Sequence, residues 1–173
     1  MAVYKKVIKG LMSKGGVPTY INVTEEVRKA VEESGIQNGI VTVMSPHTTC
    51  AVFFEEYDHD EMPDGTTFLQ QDLNNALNKI MPEQTGWGQY YYPGVRHFEA
   101  VESWPDAAAY LPEGRTSLYN CDAHLRSTLV GASQTFEVDN GKLAMGFTGY
   151  IYFVDFDRTR SRERKCRIVV IGE

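Results

Sequence analysis

The chain carries four histidines, His47, His59, His97 and His124. Three of the four lie where a regular sequence pattern gives way to a loop or a helix, the edges at which side chains converge on a cleft above a sheet. Three neutral imidazoles around an open position make a catalytic zinc site, yet such sites carry a short ligand spacing that this sequence lacks, so on spacing alone hydrogen-bonded or surface histidines are the better reading. His47 stands in "SPHTT", where Ser45, Thr48 and Thr49 either donate to phosphate oxygens or close the turn through local bonds. In "NCDAHLRS", His124 falls in the first turn of a helix that Asn120 or Asp122 can cap. Free backbone N–H groups there, with Arg126 and Ser127, suit a phosphate or carboxylate; the plainer alternative is a capped helix with a solvated Arg126.

Carboxylates offer a second chemistry. Glu55 and Glu56 end the apolar run "AVFF", and strand alternation sends them to opposite faces, so only one can serve a cleft as general base or as the group orienting a histidine. A strand end reaching solvent explains the pair as simply. "DHDE", residues 58 to 61, lacks EF-hand spacing and reads as a solvated loop. Cys50 beside His47 could be a nucleophile, but it opens an apolar strand, where cysteine is more often inert packing. "RTRSRERK", residues 158 to 165, reads first as a charged hairpin tip and only second as a phosphate grip. No G-x-S-x-G, Walker or dinucleotide glycine pattern is present.

The whole chain must position these groups. Its 173 residues suit a single domain over residues 1–173, and 42% hydrophobic content supports a core without disulfides or a structural metal. A net charge of −6 argues against non-specific nucleic-acid binding. No apolar run of about 18 residues and no signal-peptide pattern is seen, so no membrane partner and a cytoplasmic location are expected. Cys50, Cys121 and Cys166 are odd in number and widely spaced, and read as reduced thiols.

"AVYKKVIKG" and "PTYINV" predict an opening hairpin, followed by a helix that starts near Asn22 and stops at Gly35. "NGIVTVMS" and "CAVFFEE" read as adjacent strands joined by the short "PHTT". Phe68, Leu69, Leu73, Leu77 and Ile80 predict a helix over 64–80, with Pro82 beyond it. Residues 84–118 show no sustained period, and an irregular stretch of that length is usually functional. A short helix closed by Gly131 and four strands complete the chain, the first two joined at Asn140-Gly141. The class is α+β: a compact, largely antiparallel mixed sheet with helices packed on it.

Taken in order, "SPHTT" with its apolar strand and glutamate, the "RH" of "VRH", "DAHLRSTLVG", "DNGKLAMG" and "RIVVIGE" resemble the YjbQ-like family, the secondary thiamine-phosphate synthase-type proteins. The likeness spans nearly the whole chain. It implies a homotrimer with a divalent metal, commonly zinc, on His47, His97 and His124, and with Glu56 as the proton-moving carboxylate. The function implied is a metal-dependent enzyme on a phosphorylated small molecule, of thiamine-phosphate synthase type. A metal-assisted phosphoester hydrolase or lyase is the alternative, and a non-enzymatic trimeric metal- or phosphometabolite-binding protein is the other. Ser45, Thr48, Thr49, Asp122, Arg126 and Ser127 would hold the phosphate. Two departures stand out: Thr148 and Gly149 occupy the positions of the family's Trp-Gln, and residues 84–118 are long enough to form a lid or a subunit contact.

Overall fold

The computed structural model describes residues 1–173. Eight strands form two antiparallel sheets. β1 (Ala2–Met12), β8 (Glu163–Gly172), β3 (Gly39–Met44), β5 (Ser133–Asp139) and β6 (Lys142–Ala144) lie in that order in one; β2 (Thr19–Asn22), β7 (Gly149–Asp155) and β4 (Cys50–Glu56) make the other. The α+β class holds, but two strand pairings expected from the sequence do not. β1 pairs with β8 and β2 with β7, so the opening segments are not a hairpin. β3 and β4 lie in different sheets and are not neighbours. In both cases a short connection carries the chain from one sheet to the other, a geometry that short loops permit as readily as a hairpin.

Alternation explains how the sheets stack. Along β4, Cys50 and Val52 join a 16-residue core with Val41 and Val43 of β3, Ile168 and Val170 of β8, and Ile151 and Phe153 of β7. Ala51 and Phe53 point the other way, into a second core with Tyr152, Val154 and Phe156, against Leu77 and Ala123. The first four residues of β4, Cys50 to Phe53, are thus buried on both faces, which is why that stretch reads as an unbroken apolar run. Leu77 belongs to α2 (Phe68–Ile80) and Ala123 to a later helix, so the layers run five-stranded sheet, three-stranded sheet, helices. α1 (Thr24–Ser34) buries Val27, Ala30 and Val31 in the main core.

α1 begins at Thr24, whose N–H is accepted by Asn22 Oδ1 at 3.0 Å, and ends at Gly35 with φ 66°. α2 starts four residues later than expected, because Thr67 and Gln70 form a capping box. Of its predicted apolar stripe only Leu77 is buried; Phe68, Leu69 and Ile80 are exposed. Residues 84–118 are not structureless. They hold α3 (Val95–Glu102), the one-turn α4 (Ala107–Tyr110) and a 3-10 turn, Gly114–Leu118, around a small core of Phe98, Val101 and Leu118. α5 (Cys121–Val130) follows and is closed by Gly131, and Asn140-Gly141, both at positive φ, turn β5 into β6 as expected. Cys50, Cys121 and Cys166 are free and buried, as expected. No helix is long and apolar enough to cross a membrane.

Candidate functional site

Three separate stretches meet in one hollow of about 310 Å³: the turn after β3, the segment before and within α3 and α5, and the link from β7 into β8. His47 comes from the first, His97 from α3 and His124 from α5, so the structure brings together the three histidines singled out above. His59 is not among its lining residues; it packs against Tyr57 with ring centroids 4.8 Å apart.

Each imidazole is held differently. Ser45 Oγ accepts the His47 backbone N–H at 3.1 Å and shapes the turn, while His47 Nε2 accepts the Lys165 backbone N–H at 3.1 Å. Accepting there places the ring proton of neutral His47 on Nδ1. Burial and the neighbouring Arg164 guanidinium lower the His47 pKa. His124 is also shifted down, mainly by burial, and the Thr48 carbonyl faces its ring. His97 Nε2 lies 3.0 Å from the Tyr92 hydroxyl, and the Tyr92 ring touches both His97 and His124, with centroids 4.9 and 5.4 Å apart.

The opposite wall is cationic. Arg160, Arg162 and Arg164 all line the hollow, so the run "RTRSRERK" is more than a solvated hairpin tip. Two of the three are neutralised. Arg164 Nε bonds to Asp155 Oδ2 at 2.6 Å and its terminal nitrogen to Thr49 Oγ1 at 3.1 Å. Arg162 donates to Asp157, which also accepts from Asn120 Nδ2 at 2.7 Å and from the Thr159 hydroxyl at 2.6 Å. Arg160 donates to the Ser117 carbonyl at 3.0 Å and forms no ion pair. Burial and the adjacent Arg162 lower its pKa, the signature of a guanidinium short of negative charge. The signal in the sequence was the i, i+2, i+4 recurrence of Arg160, Arg162 and Arg164 across the link into β8, of which Arg164 alone lies within the strand.

Of the other predicted phosphate ligands, Thr48 and Thr49 line this hollow, and Ser45, Asp122, Arg126 and Ser127 lie elsewhere. Asp122 and Arg126 are each 1% exposed. Arg126 ties α5 to the end of α2 through Asn78 Oδ1 at 3.1 Å and the Met81 carbonyl at 2.8 Å, so it is not a solvated helix residue. Asp122 accepts from the Gln84 backbone and from Arg158. Ser127 Oγ donates to the Cys50 carbonyl at 2.7 Å and Thr49 Oγ1 to Asp155 at 3.0 Å, both structural bonds. Ser45 borders a second, more open hollow across the turn; His47 and Thr48 line both. Glu56 is exposed at the far end of β4, beside Gly149 and roughly 20 Å along the strand from Cys50. It does not reach this hollow within the chain. Cys50 is fully buried with its thiol pushed well up by burial, which suits packing and not a nucleophile.

The fit of a metal to these residues can be tested on the geometry. No group of three or more His, Cys, Asp or Glu side chains is arranged to hold a metal ion. His47 and His97 each have Nε2 occupied, and three guanidiniums share the hollow. As arranged, the donor set favours an anion over a cation.

A family profile described as "UPF0047 protein YjbQ-like" matches residues 12–173. The UPF0047 protein of Archaeoglobus fulgidus is 31% identical over 142 residues, covering 82% of this chain and 84% of that protein. UPF0047 protein YugU of Bacillus subtilis is 30% identical over 152 residues, covering 88% and 89%. Among solved structures, a protein of unknown function from Sulfolobus solfataricus superposes with a TM-score of 0.66 at 25% identity over 99% of both chains. A YjbQ/UPF0047 family protein from Clostridium acetobutylicum gives 0.64 at 29%, covering 96% of this chain and 98% of that one. The chain belongs to the YjbQ-like UPF0047 family.

Proposed function

We propose that the hollow binds the phosphoryl group of a small phosphorylated molecule and that the chain is an enzyme acting on that molecule. One observation carries the reading: Arg160 is a half-buried guanidinium with no carboxylate partner, facing a cavity bordered by three imidazoles. A phosphate or phosphomonoester supplies the missing charge and accepts from the guanidinium fork and the His47 Nδ1–H. Asp155 and Asp157 hold Arg164 and Arg162 in place, so the cationic wall is set before any ligand arrives. His124, kept neutral by burial, then offers a nitrogen lone pair as a base near neutral pH. Calorimetric titration of inorganic phosphate and phenyl phosphate into wild type and Arg160→Gln tests the reading. Binding that is equal in the two proteins, or absent from both, would end it.

Within this class, the thiamine-phosphate synthase-type transfer suggested by the sequence resemblance is one candidate reaction, and a homotrimer is the assembly proposed with it. A second reading places zinc on His47, His97 and His124, favoured by their sharing one hollow. It requires the rings to leave their present partners.

A further inference from the structure

We infer that Tyr92 is a positioning residue that fixes the tautomer of His97 and locks that ring to the α5 end of the cleft. The inference rests on the phosphate-cleft reading for its catalytic meaning, although its geometry stands apart from any ligand. Tyr92 lies at the start of the 84–118 segment, five residues before His97, and was not among the residues the sequence marked for chemistry.

Two sets of contacts make the case. The first fixes the backbone. Gln84, almost fully buried, donates from Nε2 to the Tyr92 carbonyl at 3.0 Å while its Oε1 accepts the Cys121 N–H at 2.9 Å. One carboxamide therefore clamps Tyr92 to the first residue of α5, three residues from His124. The second set fixes the side chain. Its ring packs against His97 and edge-on against His124, and its hydroxyl reaches only His97 Nε2, at 3.0 Å.

The direction of that hydrogen bond follows from supply and demand. Tyr92 lines the cleft, half-buried, and a phenol keeps its O–H at neutral pH. Among the protein's groups His97 Nε2 is the acceptor within reach of that hydroxyl, at 3.0 Å, and we assign the phenol proton to this contact. Neutral His97 then carries its own proton on Nδ1. Two of the three imidazoles, His47 and His97, are thus held as Nδ1–H tautomers, by a backbone N–H in one case and a phenol in the other.

Tyr92→Phe keeps the ring and removes the hydroxyl. Imidazole ¹⁵N shifts of the folded protein near neutral pH read the tautomer of each histidine separately. The expected result is Nδ1–H at His97 in wild type, loss of that preference in Tyr92→Phe, and unchanged signals from His47. A wild-type His97 protonated on Nε2, or a His97 tautomer indifferent to the substitution, would overturn the assignment. Phosphate titration of the same two samples keeps the two ideas apart. Absence of phosphate binding with an intact Tyr92 effect defeats the cleft reading alone, and binding without the tautomer change defeats this inference alone.

Discussion

Arg164 and Asp155 meet at 2.6 Å where the two sheets part company. Both continue inward stripes that are otherwise apolar: Cys166, Ile168 and Val170 along β8, and Ile151 and Phe153 along β7. At the last step of each stripe the hydrocarbon core gives way to a charged pair, and just outside that pair the cleft begins. The Thr49 hydroxyl completes the arrangement by donating to Asp155 and accepting from Arg164.

This contact separates the roles of neighbouring arginines. Arg164→Gln leaves the Asp155 carboxylate buried without its cation and is expected to cost about 3 kcal/mol or more in unfolding free energy. Arg160→Gln breaks no ion pair and should change stability little while weakening phosphate binding by about tenfold to a hundredfold. Urea denaturation and calorimetry of both variants check the division.

Arg126 supplies the converse. Fully buried between α5 and α2, Arg126→Gln should destabilise the fold by about 2–4 kcal/mol yet leave the phosphate affinity of the folded protein within about twofold of wild type. A large affinity loss in folded Arg126→Gln would return that residue to the binding site.

Acid stability should report Asp157. Burial alone would raise its pKa, but Arg162 and the bonds from Thr159 and Asn120 outweigh burial and hold the carboxyl below its ordinary value. A depressed folded pKa contributes stability that is complete above the unfolded value, about 3.9, and is lost as pH falls through the folded one. The stability gap between wild type and Asp157→Asn is therefore expected to be constant from pH 7 to about 5 and to narrow below about pH 4. Denaturation midpoints measured across that range test it; a gap that widens on acidification contradicts the sign.

Metal content decides between the anion and zinc readings. Untagged protein dialysed against a chelator should bind phosphate as tightly as before, and added zinc should not depend jointly on His47, His97 and His124. Stoichiometric zinc lost in each of the three alanine variants, with phosphate binding restored only by zinc, would favour the metal centre instead.

Much of the local structure was legible in the sequence, because it follows from short-range chemistry. The Asn140-Gly141 turn, the α1 stop at Gly35 and the reduced cysteines all held. Strand partners were less legible: "PHTT" and Gly15-Gly16 before β2 look like hairpin links, and only long-range packing sends their strands to different sheets. At the site, the edge positions of His47, His97 and His124 were readable, while the roles of the hydroxyls were not. Ser127 and Thr49 have the same chemistry whether they meet a ligand or a buried carbonyl or carboxylate. The arginine run misled because exposure is the ordinary fate of such a sequence, and the acids that draw two of its residues inward, Asp155 and Asp157, lie just before it in a strand end that reads as apolar.

The segment over 84–118 brings its own small core of Phe98, Val101 and Leu118, and it contributes Tyr92, His97, Trp104 and Tyr110 to the hollow. The cationic wall comes from the link into β8 and the start of that strand, and the facing wall from the 84–118 segment and α5. Such a cleft has two separately built halves: one anchored by the buried ion pairs of Arg162 and Arg164, the other by the small core of Phe98, Val101 and Leu118. On the proposed reading the arginine side would grip the phosphoryl group and the aromatic side would meet the body of the ligand, so affinity and selectivity would rest on different walls.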